Sequence, residues 1–388
     1  MKINVGIIGC GGISPSHINI YSGFPEEVQI VAVCDIVKEK AENRKQIVRD
    51  TYLSREAEHQ KRAEEAQSQD EKDGYVKLAE VCQNAAEVEV KAYTSHDELL
   101  KDERVDAVNI CTPPFAHPEP MIAAANAGKH VFCEGPIAGD LKQADAMIAA
   151  ARNNKIKFTV QYGTRLSRGS MMAKKAIDDG KLGKILMGKV DVMWYRAQSY
   201  YDSGAWRGTW AGERGGATFH HGRYAIDLYL WLMGEVSEVY AQMDTFTHNI
   251  ELEDCSMSVL RFKHGALGQI MASTSAHPGI APSQRIEIFC ERAAISVIPN
   301  WNIGSSDENY AAQLKQELEV EVPEPAYSGM AGQMKDFIDA IVEDREPYIT
   351  GESVRPQVEV TRGIYKSVAT GQSARLPLKQ YDPFYGSF

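Results

Sequence analysis

The sequence lacks several features that would place it in a class of proteins at once. Its seven cysteines include no C-x-x-C pair, which disfavours zinc and disulfides and favours reduced thiols in a cytoplasmic protein. No apolar run reaches the length of about 18 residues that a membrane span needs. A net charge of −11 without a long basic block makes duplex nucleic acid and anionic membranes poor partners.

What is present is the composition of a globular protein. The chain has 388 residues, of which 44% are hydrophobic and 24% are charged. This length is sufficient for two domains with substantial cores. The sequence contains neither an internal repeat nor a low-complexity segment. The function therefore has to be inferred from local motifs.

The first motif is a short apolar run, residues 3–8, which is followed by Gly9, Gly11 and Gly12. It predicts a buried strand that ends in a glycine turn and leads into a helix. Gly9 allows a tight turn, Gly11 allows close approach of the backbone, and amides at the helix start face an anion. Ser14, which is small but not glycine, holds the third position of the G-x-G-x-x-G/A pattern. The motif is typical of a dinucleotide diphosphate site.

A second apolar run, residues 28–34, ends at Asp35. Asp35 follows the glycine turn by about 20 residues, which is the spacing of the acid that binds the adenosine ribose. Ile36 comes next. A site that binds the 2′-phosphate of NADP would favour Arg or Ser in this place and would have no acid beside it. Together these residues predict a dinucleotide-binding fold that prefers NAD to NADP.

The segment between residues 37 and 89 is charged, helix-prone and poor in apolar residues. We predict one long helix, a break near residues 70–74, and a second helix that ends near Glu89. The segment forms a helical insertion at about residues 45–90. It is either a solvated surface element without chemistry or a contact arm between subunits.

The remaining pattern gives the fold class and the domains. Strands alternate with helices up to residue 133, which predicts a parallel doubly wound sheet. From about residue 184 strand-like runs follow one another, interrupted by one helix over residues 217–232. We therefore expect an α/β protein with a dinucleotide-binding Rossmann domain, residues 1–135. We also expect a C-terminal α+β domain, residues 136–388, with a large open antiparallel sheet. Its last helices either belong to this domain alone or pack back on the first domain.

Several stretches of the chain together resemble a known family. They are the glycine turn, Val33-Cys34-Asp35, residues 112–117, residues 128–136, and Trp206–Trp210 followed by Gly215-Gly216. They are similar to motifs of the glucose–fructose oxidoreductase, inositol dehydrogenase and rhizopine catabolism family, called Gfo/Idh/MocA. The resemblance implies a Rossmann domain, an open antiparallel sheet, a bound nicotinamide nucleotide, here NAD, and oxidation or reduction of sugars or cyclitols.

Two positions depart from this family pattern. Gly135 stands between Glu134 and Pro136, where the family usually has a lysine that helps with the proton of the substrate hydroxyl. His220 and Tyr224 stand where the family usually has Asp or Asn and, four residues later, a catalytic histidine. The resemblance therefore transfers the cofactor site more directly than the proton-transfer chemistry.

Nine residues are expected to bind the cofactor. They are Gly9, Gly11, Gly12, Ile13, Asp35, Thr112, Pro113, His117 and Glu134. In the family the loop that begins at Thr112 lies along the nicotinamide ribose, although proline alone also makes a rigid strand exit. His117 either caps the following helix or contacts the cofactor, and Glu134 follows the next strand at the same site.

The catalytic candidates are Tyr224, His220 and Glu134. Since His220, Tyr224 and Asp227 have the spacing i, i+4 and i+7, they form one stripe on a helix, which is either a polar edge of a packed helix or a catalytic face. Tyr224 is the expected acid or base, and His220 is the expected source of a neighbouring cation. The adjacent pair His220-His221 does not suggest a metal, because neighbouring helix residues diverge.

Substrate contacts are expected from Arg165, Trp206, Arg207 and Asp227. An aromatic wall with polar groups at its rim suits a sugar, which stacks its C–H face on rings. The sequence thus favours an NAD-dependent oxidoreductase that acts on a sugar, glycoside or cyclitol. Two alternatives stay open: an NAD-assisted glycosidase or lyase that oxidises the sugar transiently, and a nucleotide-binding protein without turnover. We also expect a homodimer or homotetramer formed through the C-terminal sheet.

Overall fold

Strands and helices alternate in the first part of the chain. The computed structural model describes residues 2–279 and 282–386. In chain order the elements are β1 (Ile3–Ile8), α1 (Ser14–Tyr21), β2 (Val28–Cys34), α2 (Lys38–Glu65), α3 (Gln69–Glu87), β3 (Lys91–Tyr93), α4 (His96–Leu100), β4 (Ala107–Ile110), α5 (Pro118–Asn126), β5 (His130–Cys133), α6 (Leu141–Asn154) and β6 (Phe158–Val160).

These strands form a six-stranded sheet in the order β3-β2-β1-β4-β5-β6. β1 pairs in parallel with β2 and β4, and β4 pairs in parallel with β5. All residues of β2 and β4 are buried, as expected for parallel strands covered on both faces. The order reverses between β1 and β4, so the carboxyl ends of these strands form the crevice in which such folds bind their ligand. The predicted Rossmann sheet is confirmed.

The charged segment forms the two helices α2 and α3, which pack against each other. The predicted break at residues 70–74 is wrong, because these residues lie inside α3. The chain breaks at residues 66–68 instead. Ser68 Oγ accepts a hydrogen bond from Glu71 N at 3.2 Å, and Glu71 Oε2 accepts one from Gln67 N at 3.1 Å. This S-x-x-E cap starts α3.

The second part of the chain is dominated by strands. Its elements are α7 (Arg168–Asp178), β7 (Ile185–Met193), α8 (Gln198–Asp202), α9 (Arg223–Met233), β8 (Val236–Asp244), β9 (Cys255–Phe262), β10 (Leu267–Ser273), β11 (Gln284–Cys290), β12 (Ala294–Ile298), β13 (Asn302–Gly304), α10 (Glu308–Glu321), α11 (Gly329–Val342), α12 (Gly351–Thr370) and β14 (Ala374–Arg375).

An eight-stranded sheet has the order β13-β12-β11-β7-β10-β9-β8-β14. Its neighbours are antiparallel except β7 and β10, which run parallel. The large open sheet is thus confirmed, with one parallel pair that the sequence did not indicate. β9 alternates buried and exposed residues, so one face of the sheet is covered and the other is exposed. Helix α9 contacts β7 and β11, and α12 contacts β8.

The chain divides into two units, which are described separately below. The first unit comprises Met1–Glu134, Ala146–Thr159 and Met334–Thr350. The second unit comprises Gly135–Asp145, Val160–Gln333 and Gly351–Phe388. The six-stranded sheet belongs mainly to the first unit, and the eight-stranded sheet belongs to the second.

Candidate active site

In the first unit, the turn after β1 is shaped by Gly9. Its φ of 95° lies in the left-handed region, and a Cβ built on it would lie 2.8 Å from backbone atoms of Cys111 and Thr112. A side chain there would be both strained and in collision, so glycine is required. Gly9 N–H donates to Cys34 O at 2.8 Å, which ties the turn to the end of β2.

The outer side of the same turn is open. A Cβ built on Gly11 or Gly12 would meet no atom of the described residues within 4 Å, and the Ile13 side chain is 42% exposed. Helix α1 begins directly after this turn, at Ser14, so the positive end of its dipole lies next to this space. A diphosphate fits such a cradle, because the backbone can approach it closely and the helix start favours negative charge.

Asp35 lies beside this turn, at the end of β2. One carboxylate oxygen accepts a hydrogen bond from Cys10 N and the other accepts one from Val37 N, both at 2.9 Å. These bonds fix the carboxylate, and each oxygen retains a second lone pair. Asp35 can therefore hold the turn and still accept a hydrogen bond from a ribose hydroxyl. The neighbouring Ile36 is 91% exposed.

Arg44 supports the turn from helix α2, which the sequence analysis missed. The residue is only 8% exposed, and its Nη2 donates to Cys10 O at 2.8 Å and to Gly11 O at 2.9 Å. The sequence does contain an indication of this role. Arg44 shares a buried stripe with Ala41 and Val48 on a helix whose other faces are charged, and a buried arginine needs an acceptor.

The loop after β4 is closed by its own hydrogen bonds. His117 is fully buried, and its Nε2 lies 2.8 Å from Thr112 O. Thr112 Oγ1 donates to Ala116 O at 3.1 Å, and Pro113 precedes a single 3₁₀ turn. These bonds make the loop that contains Thr112 and Pro113 rigid. Contact of His117 with the cofactor stays a prediction.

Glu134 follows β5 and pairs with His17, a buried residue of α1 that the sequence analysis did not single out. His17 Nε2 lies 2.8 Å from Glu134 Oε1, and His17 Nδ1 lies 3.1 Å from Asn109 Oδ1. Asn109 Nδ2 donates to Cys111 Sγ at 3.0 Å, so the amide oxygen is the atom that faces His17. Both ring nitrogens therefore face oxygen atoms, an arrangement that suits a ring protonated at both nitrogens.

This pairing makes His17 an imidazolium. Burial by itself lowers the pKa of His17, but Cys111 and Glu134 outweigh burial and raise it well above its usual value. The pair is a buried charge-assisted contact between α1 and the end of β5. It fixes the start of the helix that follows the glycine turn relative to the predicted cofactor residue Glu134.

In the second unit, the segment before α9 is not the regular helix that the sequence suggested. Residues Ala217–His221 form one π-helical turn, and α9 begins only at Arg223. His220 and Tyr224 are therefore on different elements, and the predicted single stripe through His220, Tyr224 and Asp227 is wrong. The sequence analysis assumed 3.6 residues per turn throughout, whereas a π turn contains more residues per hydrogen-bonded ring.

The cation expected from His220 comes from Arg223 instead. Burial first, and then the charges of Arg223 and His221, lower the pKa of His220 well below its usual value, so its imidazole is neutral. Arg223 Nη2 donates to the Tyr224 hydroxyl at 2.8 Å, and Arg223 Cζ lies 4.3 Å from the centre of the Tyr224 ring. A guanidinium in this position stabilises negative charge on the tyrosine oxygen.

Arg165 and Asp227, both predicted substrate contacts, are bound to each other. Arg165 Nε and Nη2 donate to the two Asp227 oxygens at 2.7 and 2.5 Å, and Nη2 also donates to Ser353 O at 2.9 Å. Both side chains are almost completely buried. This bidentate pair packs α9 against the chain around Arg165 and Ser353, so the prediction of direct substrate contact is replaced by a structural role.

Trp206 and Arg207 lie together, as predicted. Arg207 Cζ is 4.4 Å from the centre of the Trp206 ring and 4.1 Å from that of Tyr200, and Arg207 Nη1 donates to the Tyr200 hydroxyl. The Trp206 ring lies 5.9 Å from the His220 ring. The second unit therefore brings Trp206, Arg207 and His220 into one aromatic and cationic cluster.

Glu213 is a titratable residue of this cluster that the sequence analysis missed. Its Oε2 accepts a hydrogen bond from Gly208 N at 2.7 Å. Its Oε1 lies 3.4 Å from His220 Nε2 and 3.9 Å from His221 Nε2, and it has no hydrogen-bond partner among the described residues. Burial raises the pKa of Glu213 to about 7, although the hydrogen bond from Gly208 and the charge of Arg207 lower it. Such an acid can hold or release a proton near neutral pH.

Gly135, the departure from the family pattern, occupies a tight position. A Cβ built on it would lie 3.0 Å from Gln161 O and 3.4 Å from the Tyr162 ring. A side chain at residue 135 therefore requires these neighbours to move by a few tenths of an ångström. Tyr162 is itself held, because its N–H donates to Gln333 Oε1 at 2.8 Å.

Two further features concern the described ranges 2–279 and 282–386: groups of metal ligands and membrane-spanning helices. No group of three or more His, Cys, Asp or Glu side chains in them could hold a metal ion. In the same ranges, no helix has both the length and the apolar character that crossing a membrane requires. The polar groups described above are thus the candidates for the chemistry.

The fold and the glycine turn define a dinucleotide-binding protein, and comparison with known proteins identifies its family. Residues 3–162 match the model described as oxidoreductase family, NAD-binding Rossmann fold. Residues 171–296 match the GFO/IDH/MocA C-terminal domain. The chain belongs to the Gfo/Idh/MocA family of oxidoreductases and contains its NAD-binding domain.

Individual relatives give a consistent picture. The myo-inositol 2-dehydrogenase of Thermotoga maritima is 32% identical over 210 residues, which are 53% of this chain and 60% of the relative. The levoglucosan dehydrogenase of Pseudarthrobacter phenanthrenivorans is 28% identical over 202 residues, 46% of this chain and 52% of the relative. The chain thus spans little more than half the length of these curated relatives.

Among solved structures, the WlbA dehydrogenase from Bordetella pertussis in complex with NADH and UDP-GlcNAcA is similar over the whole fold. Its TM-score is 0.75 at 27% identity, with 98% of this chain and 100% of that chain covered. The similarity includes both sheets, since the matched region extends over nearly the whole chain. It agrees with the assignment of the chain to this family.

Proposed function

We propose that this protein is an NAD-dependent oxidoreductase that acts on a carbon of a sugar, glycoside or cyclitol. The observation that carries the proposal is the turn held by Gly9, with Asp35 at its side and an open outer face at Gly11 and Gly12. The names of two relatives, an inositol and a levoglucosan dehydrogenase, support the substrate class. When bound, the nicotinamide supplies the hydride chemistry, and the residues of the chain bind, orient and move a proton.

Within this proposal Tyr224 exchanges the proton with the substrate oxygen. Arg223 supports this role, because its guanidinium contacts the Tyr224 hydroxyl at 2.8 Å and stabilises the phenolate left after proton donation. His220 has a positioning role, since its imidazole is neutral and packs against Trp206. Glu134 is assigned to hold His17, to which it is bonded at 2.8 Å, rather than to transfer the proton.

The first experiment measures cofactor preference and turnover. Calorimetry should show tighter binding of NAD than of NADP, and a panel of cyclitols and sugars with NAD should yield NADH with one of them. Asp35→Ala should narrow the preference for NAD. Asp106→Ala is the matched control, because Asp106 also accepts a backbone hydrogen bond, from Asn4 N at 2.8 Å, but at the amino end of β1. Equal or tighter binding of NADP by the wild-type protein would contradict the proposal.

Gly135 keeps a second candidate function open, that of an NAD-assisted glycosidase or lyase. The missing lysine removes the usual proton carrier, and the space at Gly135 is bounded by Gln161 O and Tyr162. Transient oxidation of a glycoside would release an aglycone without net NADH. Product analysis decides between the two functions: NADH and ketone in equal amounts support the dehydrogenase, and aglycone without NADH supports the lyase. Nucleotide binding without turnover on any substrate would leave a binding protein.

A homo-oligomer formed through the second sheet is part of the proposal. The open face of that sheet exposes Met257 and Val259 by 57% and 59%, and Tyr240 lies opposite Val259 on the next strand. A second copy would cover this apolar face. Light scattering should show a smaller particle for Val259→Asp and an unchanged one for Val320→Asp, whose side chain is exposed on α10. The proposed cytoplasmic location is supported by the seven free cysteines, which fit a reducing compartment.

A further inference from the structure

Three arginines converge in the second unit, and we call Arg196, Arg207 and Arg223 the arginine cluster. Arg196 Cζ lies 4.8 Å and Arg207 Cζ lies 4.1 Å from the centre of the same ring, that of Tyr200. Arg223 Nη1 donates to His220 O, and the Tyr200 ring lies 5.4 Å from the His221 ring. The three guanidiniums thus surround one group of aromatic and histidine side chains.

In the described part of the chain, carboxylates do not balance the charges of two of these arginines, Arg196 and Arg207. Among the described residues neither Arg196 nor Arg207 forms an ion pair, and Arg196 Nε is buried without a hydrogen-bond partner. Glu213 is the acid next to the two histidines, and it is about half protonated near neutral pH because its pKa is raised to about 7. The arginine charges also reach His220 and His221, whose pKa values burial and these arginines lower.

We propose that the arginine cluster binds an anionic group, a carboxylate or a phosphate, on the sugar or cyclitol substrate. This proposal rests on the function proposed above and narrows its substrate class. Guanidinium groups bind carboxylates and phosphates through paired hydrogen bonds. An anion would supply the hydrogen-bond acceptor that Arg196 Nε lacks among the described residues, and it would place negative charge beside Arg196 and Arg207.

The surroundings of the cluster suit a sugar that carries such a group. Arg207 is stacked on Trp206 and Tyr200, so its guanidinium plane is oriented before the ligand arrives. Because their imidazoles are neutral, His220 and His221 add hydrogen-bonding groups without further charge. Arg196 and Arg207 are only half-buried, which leaves them accessible.

The test compares binding of matched ligands to the NADH-loaded protein by calorimetry. The probes are D-glucuronate and D-glucose 6-phosphate as anions, and D-glucose and D-glucuronamide as neutral counterparts. We expect at least one anion to bind about tenfold more tightly than its neutral counterpart, the scale of one charge-assisted contact. The two anions separate carboxylate from phosphate recognition. Equal affinity for charged and neutral ligands, or no binding of any of the four, would overturn the proposal.

Variants test whether the cluster is responsible. Arg207→Gln should abolish the preference for the anion, and Arg207→Lys should retain part of it because the charge is kept. Arg261→Gln is the control, since Arg261 is exposed on β9 and its guanidinium donates to Gly265 O at 2.9 Å. NADH affinity of each variant verifies that the protein is folded. An unchanged anion preference in Arg207→Gln and Arg196→Gln would show that these side chains only pack against the rings.

This measurement separates the two proposals. If the protein oxidises a neutral sugar and binds it as tightly as the anion, the proposed anion site is overturned and the proposed oxidoreductase function stands. If the protein prefers the anion but forms NADH with no substrate, the proposed anion site stands and the proposed oxidoreductase function is overturned. Binding and turnover are therefore measured on the same preparation.

Discussion

Each of the two units contains a buried histidine beside a glutamate, and the pKa values of the two histidines are shifted in opposite directions. In the first unit His17 Nε2 lies 2.8 Å from Glu134 Oε1, and the pKa of His17 is raised. In the second unit His220 Nε2 lies 3.4 Å from Glu213 Oε1, the pKa of His220 is lowered and that of Glu213 is raised to about 7. A neighbouring carboxylate therefore does not by itself determine whether a buried histidine is charged.

The difference lies in the other groups that face the ring. His17 has an oxygen atom at each nitrogen, Asn109 Oδ1 and Glu134 Oε1, which suits a doubly protonated ring. Burial lowers its pKa, but Cys111 and Glu134 raise it further. His220 has guanidinium groups around it, and its Nδ1 has no hydrogen-bond partner among the described residues. Acceptors favour the imidazolium, whereas neighbouring cations and an unsatisfied nitrogen favour the neutral ring.

The largest expected effect comes from breaking the charged pair. His17→Leu removes the buried imidazole that contacts Glu134 and Asn109, and we expect a loss of about 4 kcal/mol in the free energy of unfolding, the scale for removing one member of a buried pair. Urea unfolding at neutral pH measures it. His96→Leu is the control, because His96 Nε2 lies 3.5 Å from the exposed carboxylate of Asp97, near the surface. A loss below about 1 kcal/mol, typical of an exposed pair, would mean that the His17 pair is not charged.

The next largest effect is expected at Tyr224, the proposed proton donor of the second unit. Tyr224→Phe removes the hydroxyl that Arg223 contacts, and turnover should fall by about 100-fold, the scale of general acid–base assistance, while NADH affinity stays unchanged. Steady-state rates on the substrate found in the panel measure it. Tyr240→Phe on the exposed sheet face should leave the rate unchanged. A Tyr224→Phe enzyme that keeps wild-type turnover would assign the proton to another residue.

A smaller effect, on the pH dependence of stability, is expected from Glu213, which lies beside His220 in the second unit. Since the folded pKa of Glu213 is raised, its stabilising contribution is full below the unfolded pKa and is lost as pH rises through the folded pKa. Wild-type stability relative to Glu213→Gln should therefore decrease by about 2 kcal/mol between about pH 5 and pH 7. Denaturant unfolding of both proteins across this range measures the difference. A difference independent of pH would show that Glu213 titrates normally.

The smallest expected change is spectroscopic and is measured on the wild-type protein. At neutral pH, nitrogen-15 NMR of the imidazole rings should show two protonated nitrogens for His17 and one for His220 and one for His221. The variants His17→Gln and His220→Gln assign the signals. Equal protonation of His17 and His220 would remove the contrast between the two units.

Much of the first unit could be predicted because its signals are local in sequence. The apolar run before Gly9 and the run that ends at Asp35 are each a few residues long, and both have the predicted places in the sheet. His17 and Arg44 were missed because their partners are distant in sequence: Glu134 is 117 residues from His17, and Cys10 is 34 residues from Arg44. Only the fold brings such pairs together.

The second unit was less predictable for a different reason. The helix near residue 220 was expected from its period, but the π turn at Ala217–His221 shifts the side chains relative to α9. Glu213 gave no signal, since its raised pKa follows from burial and not from its neighbours in sequence. The break at Ser68 could have been found, because Ser68 and Glu71 form a cap of the S-x-x-E type.

The bonds of Arg44 have a consequence for attempts to re-engineer cofactor use. Enzymes that select NADP often use an arginine to bind the 2′-phosphate, and Arg44 on α2 is an obvious choice to recruit for that purpose. Its Nη2, however, is bonded to Cys10 O and Gly11 O, and Asp35 holds Cys10 N and Val37 N. A replacement of Asp35 would loosen the turn without releasing Arg44. A designer would have to add a new cation and leave both residues as supports of the loop.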